Sequence, residues 1–471
     1  GAEVRSEKMT DERDPNINGT IPWTTVQGVT FPYVSNISNS SPSPNTSGER
    51  LITSFFSEAQ IPLAENLDSQ IALRGENFDD VGSTVVGKFA LGYQPVDALK
   101  VRASYSTTFR APNLITVNEG MIARSNTQED PLYTAAIGEN YENYSIQRVA
   151  QGNEDLESEE STNTSLGIVL TPTDNLVITI DKWQIEKENT IGLFGERNHM
   201  LLDTLIRKQG GVNECTGNPL VVRGSFIEDN DATSPTYNGT WDSGLCKAGQ
   251  VIRVMDTYIN LDERNMEGTD IAIEYSVDTN FGSFTAKLMN VHYDKFEQIA
   301  SGANAALIEA VQPGGPLDGL IAPSGYGDLI GTFDKVAYPE DRTSMKISWK
   351  YNQWQVYLSG NRISSFQELA VTDNAKSVDL SGSSNDIYAC SGTGTWSSSI
   401  DGCGDTWTVD DFMTLNLTIG YTLENGIRVR GQIRNLEDER APLADEYTWG
   451  AVSDVHSDYG RSYSLEIYKK F

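Results

Sequence analysis

Residues Met413–Arg434 read MTLNLTIGYTLENGIRVRGQIR, two alternating runs joined by a polar turn. In the first run Met413, Leu415, Leu417, Ile419 and Tyr421 are apolar, whereas Asn416, Thr418 and Gly420 between them are polar or small. In the second, Ile427, Val429 and Ile433 alternate with Arg428, Arg430, Gln432 and Arg434. Successive side chains of a strand point to opposite faces, so each run presents one apolar face and one polar face. A face carrying four successive charged or amide side chains cannot line a dry core, because burying unpaired charge costs too much. It can line a water-filled lumen while the apolar face meets lipid. The hairpin therefore selects an all-β fold, a transmembrane antiparallel β-barrel, over a β-sandwich.

The same alternation recurs outward from this hairpin. Leu99, Val101, Ala103, Tyr105 and Phe109 alternate with Lys100, Arg102, Ser104 and Ser106. At the end of the chain Tyr463, Leu465, Ile467 and Phe471 alternate with Ser464, Glu466 and Tyr468. Short turns (Pro62 to Asp68, Gln94 to Ala98, Thr171 to Asn175, Asp278 to Gly282, Tyr351 to Gln353, Thr422 to Gly426) alternate with mostly long connections. The long ones cover about 11–50, 111–160, 192–260, 300–341, 367–409 and 437–459, and the brief Asp79 to Gly82 is the exception. Tight turns on one side and long loops on the other are the asymmetry of an outer-membrane barrel. Between them lie roughly fourteen strands of spanning length, near Ala2, Leu51, Gln70, Thr84, Leu99, Thr162, Leu176, Thr269, Phe284, Thr343, Gln355, Met413, Ile427 and Ser462. Helical spacing within the loops predicts short helices over His199–Gln209 and Ala305–Val311.

Composition excludes several classes. The chain has 471 residues, is 38% hydrophobic and carries a formal charge of −31, which argues against nucleic acid as a partner and against adhesion to anionic lipid. No apolar run is long enough for a transmembrane helix. Between Thr127 and Glu160 there are nine acidic residues and one basic residue, Arg148, the pattern of a solvated loop surface. The acidic stretch Glu228–Asp231 offers Asp229 and Asp231 as calcium ligands, but it lacks the full EF-hand pattern; a solvated turn is the alternative. The four cysteines fall into two local pairs, Cys215 with Cys246 and Cys390 with Cys403. Local pairing costs the least loop closure and implies an oxidising compartment. The three histidines give little support to a haem or metal site, and His292 shares an alternation face with Phe284 and Leu288.

Five ordered segments resemble the TonB-dependent outer-membrane receptors. Phe109-Arg110-Ala111-Pro112-Asn113 is similar to that family's FRAPN barrel motif. Gly152–Ser161 (GNEDLESEES) resembles its G-N-P-x-L-x-x-E stretch, with Glu154 in place of proline. Asp181–Ile191 (DKWQIEKENTI) resembles a D-Y-W-x-I strand, with Lys182 in place of the aromatic residue, and Asn435–Glu439 resembles N-L-F-D-E, with Glu437 in place of Phe. The last strand ends on an aromatic residue, Phe471. In such a family that residue is a signal to the barrel-assembly machinery or an interfacial anchor.

The resemblance implies a barrel of about 22 strands, of which residues 1–471 supply roughly strands 9–22, with the plug and first strands expected from upstream sequence or another chain. It implies TonB, ExbB and ExbD as partners acting through that plug, lipopolysaccharide around the outer leaflet, and a surface lipoprotein on the loops as a further candidate. The function it implies is active import of a scarce, bulky nutrient, with oligosaccharide slightly preferred over an iron–siderophore complex, no cofactor beyond structural calcium, and no enzymatic activity. Loop aromatics Trp241, Trp396, Trp407, Trp449, Tyr133, Tyr141 and Tyr144 are the candidate substrate contacts; the competing role is to pack the loops together. A passive porin and a surface docking or adhesion barrel are the alternatives. A barrel hydrolase would need a triad, for which His292 with Ser276 or Ser283 is a poor set.

Overall fold

The computed structural model describes residues 1–18, 20, 23–24, 30–31, 37, 43–138, 143–212, 215–231, 238–239, 241–320, 323, 325–334, 336–368, 407–442 and 455–469. The first part of the chain forms β1 (Ala2–Asp11), β2 (Trp23–Thr24), β3 (Thr30–Phe31), β4 (Thr46–Ala64), β5 (Leu67–Phe78), β6 (Gly82–Val96) and β7 (Leu99–Arg110). A long connection then carries α1 (Leu114–Asn118), β8 (Ile122–Gln128), α2 (Pro131–Ile137) and β9 (Tyr144–Gln151). The chain returns through β10 (Glu159–Thr173) and β11 (Leu176–Glu188). It leaves again through β12 (Ile191–Leu193), α3 (Glu196–Gly210), β13 (Val221–Arg223) and β14 (Val251–Asn260). The next hairpin is β15 (Glu263–Thr279) and β16 (Gly282–Ile299), followed by α4 (Gly302–Ala310), β17 (Gly327–Asp328), β18 (Thr332–Asp334) and β19 (Val336–Tyr338). The remainder is β20 (Asp341–Tyr351), β21 (Trp354–Ile363), β22 (Phe366–Glu368), β23 (Trp407–Val409), β24 (Phe412–Thr422), β25 (Arg428–Arg434) and β26 (Ser462–Tyr468).

One 15-stranded sheet organises the molecule, with a path β1-β4-β5-β6-β7-β10-β11-β15-β16-β20-β21-β24-β25-β26 and the short β17 beside β16. The path holds the same strands that the alternation predicts, one for one, and every neighbour is antiparallel.

Register sorts the side chains into two faces. One row across the sheet runs Ile178, Ile273, Leu288, Met345, Gly360, Leu415; the adjacent row runs Val177, Glu274, Lys287, Lys346, Ser359, Asn416. On the apolar face large side chains stay open, among them Phe55, Leu73, Val85, Leu166, Leu288 and Leu465. An apolar face left open across a whole sheet marks a surface made for an apolar solvent. Aromatic rings collect on it beside the short turns: Phe284 lies 6.5 Å from Trp349, and Trp354 4.7 Å from Tyr421. Such a girdle fits the membrane–water boundary. Among the described residues no helix is long and apolar enough to cross a membrane.

The long connections are not featureless. They build a second sheet, β12-β14-β9-β8 with β13 beside β14, in which β14 and β9 are parallel. Parallel pairing follows from traffic: both strands lead from a loop back into the wall, β9 into β10 and β14 into β15. Ile146, Met200, Val221, Val251 and Val254 form one core of this module. A second joins Phe194, Leu201 and Leu205 to Leu307, Ala310, Val311 and Leu317, so α3 and α4 from different loops share a core. The helix α3 starts at Glu196, three residues before the predicted Met/Leu-spaced segment, and α4 likewise starts earlier, at Gly302.

Candidate functional site

The polar face of the wall is laced by cross-strand ion pairs. Lys100 reaches Asp68 (3.5 Å), Arg102 forks onto Asp181 (2.8 and 2.5 Å) and Lys287 pairs with Glu274 (2.7 Å). Trp183 Nε1 donates to Asp270 (3.0 Å). Register places Gly167 between Arg102 and Asp181 on the intervening strand. A Cβ at Gly167 would collide with Asp181 Oδ1, so glycine is what lets the pair cross a strand. Asp68, Lys100, Arg102, Asp181, Trp183 and Asp270, with Gln60, Gln70 and Lys88, line a groove of about 730 Å³. Half-exposed pairs contribute little stability each; together they give the wall a wet, charged character with both signs present.

At the loop end, three of the motif-like segments meet on one carboxylate. Glu159, 2% exposed, accepts Ile191 N–H at 2.8 Å and pairs with Lys187 at 2.9 Å and with Arg110. Arg110 comes from FRAPN, Glu159 from GNEDLESEES, and Lys187 and Ile191 from DKWQIEKENTI. Phe109 packs edge-on against Phe78 (5.9 Å), Ala111 is half-buried, Pro112 is buried, and Asn113 caps α1 by accepting Thr116 N–H at 2.8 Å. In the fourth motif-like segment Asn435 sits at φ 53° and exchanges two 2.8 Å hydrogen bonds with the Glu439 backbone. Asp438 accepts Arg461 N–H at 2.7 Å, tying that corner to β26.

The candidate substrate aromatics are occupied where they are described. Tyr133 is 2% exposed, donates to Ala248 O (3.1 Å) and packs edge-on to Trp241 at 5.1 Å. Trp241 in turn packs on Phe226 (5.1 Å) and donates to Leu245 O. Tyr144 donates to Asp130 Oδ2 at 2.6 Å. All three make contacts within the loops in this structure. Around them lies a buried charge chain: Arg223 bonds both Asp130 and Asp203 at 2.7 Å, and Arg207 bonds Asp203 and Cys215 O. Burial of these charges is tolerable because each is paired. The Cys215–Cys246 disulfide closes the same region.

Asp231 N–H bonds Asp229 Oδ1 (3.0 Å), closing a local turn. Among the described residues no group of three or more His, Cys, Asp and Glu side chains is placed to hold a metal. Trp396, Trp449, Tyr141, Cys390, Cys403 and Phe471 lie outside the described residues, as does the side chain of Trp407. His292 bonds Asp341 (3.1 Å). Ser283 is nine residues away along β16, about 30 Å in an extended strand, so the two form no catalytic pair.

One antiparallel sheet with an apolar face, a charged face, tight turns at one end and structured loops at the other defines the wall of an outer-membrane β-barrel. The family model described as TonB dependent receptor-like, beta-barrel matches residues 6–436. The chain belongs to that family, whose members are receptors and transporters of the bacterial outer membrane rather than enzymes. Among solved structures it is similar to the siderophore receptor PirA from Acinetobacter baumannii, at 15% identity and a TM-score of 0.55, covering 99% of this chain and 51% of that one. It is similar also to a mutant of the ferric enterobactin receptor PfeA from Pseudomonas aeruginosa, at 14% identity and a TM-score of 0.54, covering 99% and 50%. The chain thus spans about half the length of these relatives, and at such identities the likeness establishes the fold alone. No curated protein sequence matches the chain.

Proposed function

We propose that this chain forms much of the wall and the outer mouth of a receptor that imports a scarce, bulky, polar nutrient with energy delivered by TonB through a plug. The observation that carries the reading is the pairing of faces: an open apolar belt outside, and inside a continuous field of Arg, Lys, Asp, Glu and amide side chains. Such a lumen suits a hydrated solute or a polar plug and not an apolar one. The slight preference for oligosaccharide comes from the family resemblance, with loop aromatics as candidate contacts. Tyr133, Tyr144 and Trp241 make contacts within the loops, and the charged lining of the wall supports a polar cargo.

The test is uptake by cells carrying the full receptor, with and without TonB, of labelled oligosaccharides and ferric chelates in parallel. Saturable uptake of one class that disappears without TonB is expected. Saturable uptake undiminished by TonB loss would make the barrel a passive porin and overturn the proposal.

A further inference from the structure

Behind the mouth, two arginines face each other on adjacent strands. Register pairs Arg124 of β8 with Arg148 of β9, and like charges directly opposite each other destabilise a sheet. They border a partly open cavity of about 150 Å³ together with Glu119, Ile122, Ala150, Leu193 and Tyr258. That space is about five times the share of one liquid water, enough for a carboxylate and a short stub of the molecule that bears it.

The neighbouring groups leave the positive charge only partly answered. Arg148, which lines the cavity, places Nε and one terminal nitrogen on Asp256 Oδ2, each at 2.8 Å, which leaves its other terminal nitrogen without a hydrogen bond among the described residues. Among the described residues the Arg124 guanidinium makes no hydrogen bond or close ion pair; its side chain is exposed and Glu119 attracts it electrostatically. Glu119 is hydrogen-bonded to Tyr258, and desolvation raises its pKa. The one acid on the cavity wall is thus engaged by a phenol and holds its charge less readily than an exposed glutamate. In a chain of net charge −31, two guanidinium groups set opposite each other at one void are a specific departure.

The location suits a ligand on its way in. Glu119 directly follows α1, which packs against β4. Leu114 and Ile115 of that segment close a cavity of about 540 Å³ with Arg50, Ile52 and Glu76, side chains on the polar face of the wall. The arginine pocket therefore hangs over the lumen entrance and not over the lipid-facing surface.

We propose that the Arg124–Arg148 pocket binds a carboxylate carried by the imported ligand, with Arg124 as the principal contact. This rests on the import reading above and narrows its cargo to an acidic molecule. Arginine's planar fork matches a carboxylate in two parallel bonds, and the anion relieves the repulsion between the two cations. Asp256 keeps Arg148 oriented, while Arg124 is the edge that a ligand meets.

Two chemical sources of that carboxylate are separable by probe. Outer-membrane preparations of the full receptor are incubated with trigalacturonate, with its carboxyl-reduced neutral counterpart, or with ferric citrate. Modification of Arg124 by phenylglyoxal is then read by mass spectrometry, and binding of each probe is measured for wild type and Arg124→Gln. Protection by trigalacturonate alone assigns an acidic sugar, and protection by ferric citrate alone assigns a metal carboxylate chelate; either supports the pocket. The protecting probe should bind about 10- to 100-fold more weakly to Arg124→Gln, the size expected for one charge-assisted bidentate contact. Unchanged protease resistance of the loops shows that the variant is folded. Equal protection by the neutral sugar, protection by none of the probes, or undiminished binding to the variant overturns the proposal. Because binding needs no energy input, such a failure leaves TonB-driven import standing, whereas TonB-independent uptake sinks import without touching the pocket.

Discussion

Glu159 shows what a motif-like residue does in this wall. Its carboxylate is buried, yet its two cations differ: the Arg110 side chain is 67% exposed and that of Lys187 25%. Either cation alone can hold the charge together with the Ile191 amide. Arg110→Ala or Lys187→Ala should each cost about 1–2 kcal/mol, whereas the double variant, stranding a buried carboxylate, should cost about 3–5 kcal/mol. Guanidinium unfolding of the full receptor, followed by its heat-dependent gel mobility, measures the cycle. Strict additivity would show that Glu159 is hydrated and not locked. The motif-like segments were legible as an ordered series, but their convergence was not. Lys187 lies diagonally from Glu159 across a hairpin, opposite Ser161, while Arg110, directly opposite Glu159, arrives from a strand 49 positions upstream; nothing in local spacing encodes that meeting.

Strands were the most legible elements, because a wall with lipid on one side and water on the other forces period-two patterning on every spanning segment. The loop module follows no such rule. Its strands are short and pair across more than a hundred residues, as with Arg148 and Val254. The first turn of α3 reads as polar because Glu196 is satisfied from far away, by Asn126 and Gln128. Two elements here lend themselves to measurement. The Cys215–Cys246 bridge spans 31 positions, a closure that stabilises by about 3–4 kcal/mol in the chain-entropy account. Reduction should therefore raise protease cleavage within 192–260 while the wall stays resistant; equal cleavage before and after would show that packing alone holds the module. His456 lies between the rings of Phe366 and Phe412 (5.6 and 5.2 Å), with neither ring nitrogen bonded. Burial lowers its pKa from 6.5 to about 4, so the folded loop disfavours the proton that the unfolded loop accepts. The associated stability is complete above pH 6.5 and is lost as pH falls from there toward 4. Hydrogen exchange at 455–469 should accelerate across that window in wild type and stay flat in His456→Phe; identical profiles would remove His456 as the cause.

At the scale of the molecule, the two faces make opposite demands on neighbouring positions. Leu288 lies on the apolar face, and Ser344 on the polar face one strand away. Leu288→Arg should cost about 2–4 kcal/mol at mid-bilayer and deplete the receptor from the outer membrane, while Ser344→Arg should accumulate normally. Equal accumulation of the two would contradict the assignment of faces. Composition hides this division, since averaging over both faces gives a chain that reads as water-soluble.

The parallel pairing of β9 with β14 also bears on how the loops are joined to the wall. Between those partners lie β10 and β11, so pairing β9 with β14 closes a loop that contains a hairpin of the wall. The helices α3 and α4 share a core beside it, joining two loops that leave the wall at different hairpins. The outer module thereby fastens the two ends of that hairpin to each other on the loop side of the wall.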